Sequence, residues 1–287
     1  MAIATDLDHV GVGVRDLGAA ALAYQRLGFT LSPFAQHSGA IEPGGPTVKK
    51  STGNRCAMLN DGYIELISVV DKTLPGSGLE RLLEIREGIH IIAIGCEDAN
   101  SADAALKKAG FGAKGSVYLE RMSGTADGPK LARFDRVPVG PNEMPEAAVF
   151  YIKHLTRDVI WQPHLMKHAN GAIELAEVFV HVSDFAEGKA RYGRFLDATP
   201  AKTGAGFATF DLPRGKLTVG DTAGLKSLLP AVNIMAAPAP VGIVVRTSSL
   251  DLARKTAIGS GATPIEHDGK VWVAPEHTHG CLLGYCA

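Results

Sequence analysis

Four times along the chain, an apolar β-type run ends at an acidic or hydroxyl residue and gives way to a helical pattern. In the first copy, His9-Val-Gly-Val-Gly-Val-Arg-Asp16 leads into LGAAALAYQRL and closes at Gly28-Phe29. In the second, His90-Ile-Ile-Ala-Ile-Gly-Cys-Glu-Asp98 leads into ANSADAALKKA and closes at Gly110-Phe111. The His-to-Phe separations are 20 and 21 residues, so the copies differ by a single one-residue shift. Leu17, Ala21, Tyr24 and Leu27 fall on one stripe of an amphipathic helix. Asp16 and Asp98 stand at N-cap positions, and the glycines stand where helices end. Two weaker copies, VFVHVSD with FAEGKARYGRFL and VGIVVRT with SSLDLARKTAIGSGA, keep the order of strand, Asp, Ser or Thr cap, and helix.

After each helix come short apolar runs separated by turn residues. In RCAMLNDGYIELISVV, Asn60-Asp61-Gly62 reads as a hairpin turn between two strands, and KVWVAPEHTHGCLLGYC has the same form in the last copy. The pattern predicts an α+β fold of four βαβββ units, each of about 70 residues in the 287-residue chain. HLTRDVIWQPHLMKHANGAIEL contains Pro163 and Asn170-Gly171 and breaks the strand pattern, which gives domains at 1–160 and 175–287 with a linker at 161–174. The Gly/Pro-rich stretch from Pro33 to Thr52 reads as a loop over a site.

Composition narrows the classes. With 46% hydrophobic and 21% charged residues there is enough apolar material for a core. Lys+Arg 29 against Asp+Glu 30 leaves a net charge of −1 with no basic run, which argues against a nucleic-acid partner. No apolar run approaches a membrane span and the N-terminus lacks a signal-peptide pattern, so a cytoplasmic protein without a membrane partner is expected. Cys56, Cys96, Cys281 and Cys286 lack CxxC spacing and lie in or beside apolar runs, so buried free thiols are expected.

A βαβββ unit used in pairs, opening with LDHVGVGVRDL and closing with DGYIELISV, resembles the vicinal oxygen chelate superfamily, in its glyoxalase-like branch. The resemblance implies two cup-shaped mixed β-sheet domains, with metal ligands projecting inward from the first and last strand of each unit. Its ligand pattern of His or Gln, Glu, His, Glu falls on His9, Glu65 and His90. The fourth place departs from it, because FYIKHLTR has no glutamate. Alignment with Glu65-Leu66 puts His154 there, and a one-residue shift puts Lys153 there instead. Only one of the two can face the cup, and His154 is preferred because an imidazole can ligate where an ammonium cannot.

Such a mixed His/carboxylate set suits one divalent ion, Zn, Fe, Mn, Ni or Co, that binds a small substrate through neighbouring oxygens and stabilises an enediolate. A buried Glu65 needs a reason, and metal ligation or a salt bridge to a base such as Arg55 would each supply one. Thr52-Gly53-Asn54-Arg55 resembles a stretch of this branch whose Asn54 and Arg55 could grip a substrate oxygen, or could only anchor the hairpin. Glu65, Tyr118 and Glu120 are candidate acids or bases. His164, His168, Trp161, His277 and His279 fall in turns and read as structural.

The second pair of units lacks the set. Glu177 and Pro240 stand near the places of the first-strand histidines, Gly284 stands in place of the closing carboxylate, and His181 is the remaining inward candidate. The first pair is therefore expected to be the chemical half. A lyase or isomerase of glyoxalase type leads, with an Fe(II) extradiol-type dioxygenase and a non-catalytic binding or resistance protein as rivals. A small-molecule partner is common to all three, and a homodimer is left open.

Overall fold

The protein is described from a computed structural model covering residues 3–76, 78–140 and 142–287. The four units follow the predicted order. Unit one is β1 (Ala4–Gly13), α1 (Leu17–Arg26), β2 (Ala35–Gly39), β3 (Val48–Met58) and β4 (Tyr63–Val69), followed by α2 (Leu79–Ile85). Unit two is β5 (Gly88–Cys96), α3 (Ala99–Lys108), β6 (Val117–Thr125), β7 (Gly128–Pro138) and β8 (Ala148–His154), followed by α4 (Arg157–Ile160). Unit three is β9 (Ala172–His181), α5 (Phe185–Leu196), β10 (Lys202–Gly204), β11 (Phe207–Asp211) and β12 (Lys216–Gly220), followed by α6 (Thr222–Lys226). Unit four is β13 (Ala239–Thr247), α7 (Leu250–Gly259), β14 (Ile265–His267), β15 (Lys270–Val273) and β16 (Leu282–Cys286).

Each principal helix starts on a side-chain cap. Asp16, Asp98, Asp184 and Ser249 accept the backbone N–H groups of Ala19, Ser101, Glu187 and Leu252. Such a bond satisfies a donor the helix leaves orphaned and is worth about 1 kcal/mol. The predicted stripe on α1 buries Ala21, Tyr24 and Leu27, while Leu17 is half-buried.

Within every unit the first and last strands run parallel, and the two first strands of each pair lie antiparallel at the centre. The first pair closes into an eight-stranded barrel, β1-β4-β3-β2-β6-β7-β8-β5. Closure comes from β2, where His37, Ser38 and Gly39 pair with Arg121, Glu120 and Leu119. The second pair remains an open sheet, β10-β11-β12-β9-β13-β16-β15-β14. Its edge strands β10 and β14 have three residues each and pair with β11 and β15.

The stretch from Pro33 to Thr52 is less loop than expected. It contains β2 and the start of β3, and only residues 40–47 connect them without strand. Residues 155–171 plug one end of the barrel, where Val159, Ile160, Leu165 and Trp161 pack on Tyr63, Phe134 and Phe150. His168 is structural there, linking the Thr30 N–H to the Met58 carbonyl. The concave face of the second sheet is filled from within the chain, because Leu229, Ile234 and Met235 pack against Phe179, Val241 and Trp272. A buried ion pair joins the halves, with Arg191 of α5 on Glu146 at 2.7 and 2.8 Å. Cys56, Cys96 and Cys281 are buried free thiols and Cys286 is half-buried. Among the described residues no helix is long and apolar enough to cross a membrane.

Candidate active site in the N-terminal barrel

Strand alternation decides which side chains enter the barrel. Thr52 and Asn54 of β3, Glu65 and Ile67 of β4, Leu119 and Arg121 of β6, Phe134 and Arg136 of β7, and Phe150 and Ile152 of β8 all line one cavity of about 330 Å³. The plug closes the barrel below it, and α2 contributes Leu79 and Leu82 to its wall. His9, His37 and His90 also line it.

Glu65 is buried and held on two sides. Its Oε1 accepts from Asn54 Nδ2 at 2.5 Å and lies 3.5 Å from His37 Nε2, while its Oε2 lies 3.9 Å from His9 Nε2. Burial alone would raise its pKa. The hydrogen bond and charge of His37, with the charges of His9 and Arg121, outweigh burial and bring it down to about 2, so Glu65 is a permanent carboxylate at neutral pH. Arg121, rather than Arg55, is the base beside it. Arg121 also donates to Cys56 Sγ at 3.5 Å and lies over the Phe134 ring.

His9 is oriented from behind. Its Nδ1 lies 2.7 Å from Asp8 Oδ1, leaving Nε2 directed at Glu65. Asp8 would face away from His9 in a regular strand. Instead the β1–β5 register shifts between Leu7 and His9, and this irregularity leaves Asp8 and His9 both buried. Asp8 is held far below the ordinary carboxylate range. Burial pushes it up, and the charges and hydrogen bonds of His154 and His9 more than reverse that.

The structure brings together only some of the residues predicted from sequence. His9, Glu65 and Asn54 converge. His90 lines the cavity, but its Nε2 lies 3.2 Å from the Arg86 carbonyl, and burial followed by the Arg86 charge pushes its pKa down to about 4. His154 is the inward residue of its pair, packed against Phe134 and Trp161 while Lys153 reaches Glu97 outside. It does not stand at the fourth ligand place, however. Glu65 pairs with Gly11, two residues past His9, whereas Ile92, two past His90, pairs with Val149, and Ala148 and Phe150 beside it line the cavity. His154 lies five residues beyond Val149 and bonds both Asp8 oxygens at 2.9 and 3.0 Å.

Arg55 alternates away from the cavity and reaches the Ser32 carbonyl at 3.3 Å. Glu120 lines the cavity, and Tyr118 does not, although its hydroxyl donates to Glu120 at 2.7 Å. In the second sheet, Glu177 accepts from the Thr218 hydroxyl and His181 lies 2.7 Å from the Met235 carbonyl, so both have partners inside a filled face. Asp8, His37, Lys50, Arg121 and Arg136 carry the rest of the site and were not singled out from sequence.

The four ligands implied by the superfamily resemblance are not gathered around a point. Among the described residues no three His, Cys, Asp or Glu side chains are grouped to hold a metal ion. His9 and Glu65 are two donors, His90 is turned onto a carbonyl, and His154 serves Asp8. The residues as arranged do not fit a complete divalent-metal site.

Residues 7–196 match the model of the glyoxalase-like domain family, and the chain belongs to that family. No curated protein matches the sequence. Among solved structures, a hypothetical protein from Staphylococcus aureus is similar at TM-score 0.62 and 10% identity, covering 97% of each chain. A triple mutant of 4-hydroxymandelate synthase from Streptomyces coelicolor is similar at TM-score 0.58 and 12% identity, over 99% of this chain and 92% of that one. A xylose isomerase-like TIM barrel/4-hydroxyphenylpyruvate dioxygenase fusion protein is similar at TM-score 0.59 and 11% identity, over 99% of this chain but 48% of that one. At these identities the likeness is one of fold.

Proposed function

We propose that the barrel cavity is the active site of a lyase or isomerase that moves a proton on a small oxygenated substrate. The observation that carries this reading is the buried array Asp8–His9–Glu65 at the cavity wall, with His9 held through Nδ1 and its Nε2 turned inward. In its neutral form, His9 takes a proton from a carbon beside a carbonyl at Nε2. Asp8 fixes the ring's tautomer and stabilises the imidazolium that forms. Glu65, ionised throughout, stabilises the same cation from the other side. Asn54 Oδ1 is buried with no donor among the described residues, which leaves an acceptor for a substrate hydroxyl next to the reacting carbon. The apolar wall and the plug keep water from the intermediate.

The experiment is deuterium wash-in, followed by NMR, on a panel of small α-hydroxy carbonyl compounds and 2-oxo acids in D2O. Wild-type protein should exchange the proton of at least one compound, and His9→Asn should abolish the exchange. No exchange with any compound, or equal exchange by His9→Asn, sinks the reading. A divalent ion chelating the substrate is the second reading, favoured by the 3.9 Å approach of His9 Nε2 to Glu65 Oε2 and weakened by the missing donors. Running the exchange after exhaustive chelation separates the two, since the side-chain mechanism predicts an unchanged rate. Oxygen uptake in place of exchange would favour a dioxygenase, and ligand binding without either would favour a carrier.

A further inference from the structure

The same cavity holds a cation with no hydrogen-bond or ion-pair partner among the described residues. Arg136 Nε is buried without an acceptor, and among the described residues the only partner of its guanidinium is the face of Phe150, 5.4 Å away. Lys50, lining the same cavity, donates to the Ala40 carbonyl at 2.7 Å and has no carboxylate partner among the described residues. Both groups are weakened as cations, Arg136 by burial, and Lys50 by burial and then by the charge of Arg136. Buried charges are normally paired, because leaving one uncompensated is strongly destabilising. Two cations facing one space, neither in an ion pair among the described residues, are a cost that a bound anion would remove.

We infer that Arg136 and Lys50 form the anion-binding end of the cavity and take the carboxylate of a singly charged substrate with an apolar body. Three features set the chemistry. An arginine whose two terminal nitrogens have no protein acceptor among the described residues presents paired N–H donors that match a planar carboxylate. The cavity is lined by Lys50, Arg121 and Arg136 against Glu65 and Glu120, an excess of one positive charge with histidines neutral, which suits a monoanion better than a dianion. The remaining wall is mostly apolar and includes Leu119, Phe134, Phe150 and Ile152. Phe150 joins the two functions, since Arg136 lies over its ring and His9 meets it edge-on at 6.1 Å. A ligand anchored at Arg136 therefore runs along Phe150 toward His9. This deepens the proton-transfer reading and rests on it only for calling the ligand a substrate.

The test is calorimetric titration of 3-phenylpropionate, its amide and inorganic phosphate into wild-type, Arg136→Met and His9→Asn proteins. Wild type should bind the carboxylate at least tenfold more tightly than the amide or phosphate. Arg136→Met should lose about 10- to 100-fold in carboxylate affinity, the range for a hydrogen bond to a charged group. The ligand-free Arg136→Met protein should melt at a higher temperature than wild type, because an uncompensated cation is gone; a structural arginine would give the opposite. Lys50→Met should weaken carboxylate binding less than Arg136→Met. Equal binding of acid and amide, unchanged affinity in Arg136→Met, or no binding by wild type overturns the proposal. Tighter binding of phosphate overturns the monocarboxylate assignment. Retained carboxylate binding by His9→Asn together with failed deuterium exchange in wild type would remove the proton-transfer reading and leave the anion site standing.

Discussion

Replacing Asp8 with asparagine tests the array at its hidden end. Asp8 is 1% exposed and receives His9 Nδ1 at 2.7 Å and His154 Nε2 at 2.9 and 3.0 Å. The asparagine side chain would keep the shape but lose the charge, and its amide NH2 would face an imidazole N–H where a carboxylate oxygen now accepts. At least one charge-assisted hydrogen bond is lost, about 1.5–3 kcal/mol. In urea unfolding at pH 7 the midpoint should drop by roughly 0.5–1 M for a slope near 3 kcal/mol/M. The pH dependence follows from the lowered carboxyl. A carboxylate whose folded pKa lies below its ordinary 3.8 contributes stability above that value and loses it as pH falls further. The gap between wild type and Asp8→Asn should therefore narrow as pH falls below about 4. Equal midpoints at pH 7, or a gap that persists undiminished at pH 3, would refute the argument that Asp8 is a charged acceptor for two histidines.

Two further outcomes follow from buried groups elsewhere. With His90 depressed to about 4 by burial and the Arg86 charge, its NMR titration midpoint should lie near that value. Between the ordinary 6.5 and 4 the unfolded chain binds a proton that folded His90 refuses, so stability falls as pH drops through that window, and His90→Gln should flatten the slope; a midpoint above 6 would contradict the burial. Glu146→Gln strips one of two carboxylates from Arg191, which keeps Glu187 at 2.9 Å, and should cost about 1.5–3 kcal/mol in denaturant unfolding. A loss under 1 kcal/mol would mean that water reaches the pair.

The unit architecture was legible because it is written in short-range signals. Caps at Asp16, Asp98 and Asp184, glycine stops, and the turn at Asn60-Asp61-Gly62 depend only on neighbours within a few residues. The inward placement of His9 and Glu65 was what the likeness of LDHVGVGVRDL and DGYIELISV to the glyoxalase-like branch implied, while Thr52-Gly53-Asn54-Arg55 left Asn54 open between a substrate contact and a hairpin anchor. His37 and Asp8 escaped for opposite reasons. His37 lies in a Gly/Pro-rich stretch that becomes β2 through its long-range pairing with Arg121 and its neighbours, and Asp8 is carried beside His9 by a register irregularity that no local pattern announces. The predicted ligand place of His154 failed on counting along a ladder, which needs the partner strand to be known.

By itself the sequence determined four βαβββ units, their pairing two and two, and the concentration of candidate chemistry in the first pair. Local propensity, capping and periodicity suffice for the units and their pairing, and the resemblance of the first pair's motifs to the glyoxalase-like branch supplied the candidate chemistry. The tertiary structure decided which pair closes into a barrel, which concave face is filled by its own chain, that Arg136 and Lys50 share a space with His9, and that Asp8 rather than a fourth ligand claims His154. Those outcomes depend on registers and distances between strands far apart in the chain, where a shift of one residue exchanges the cavity for the outer face.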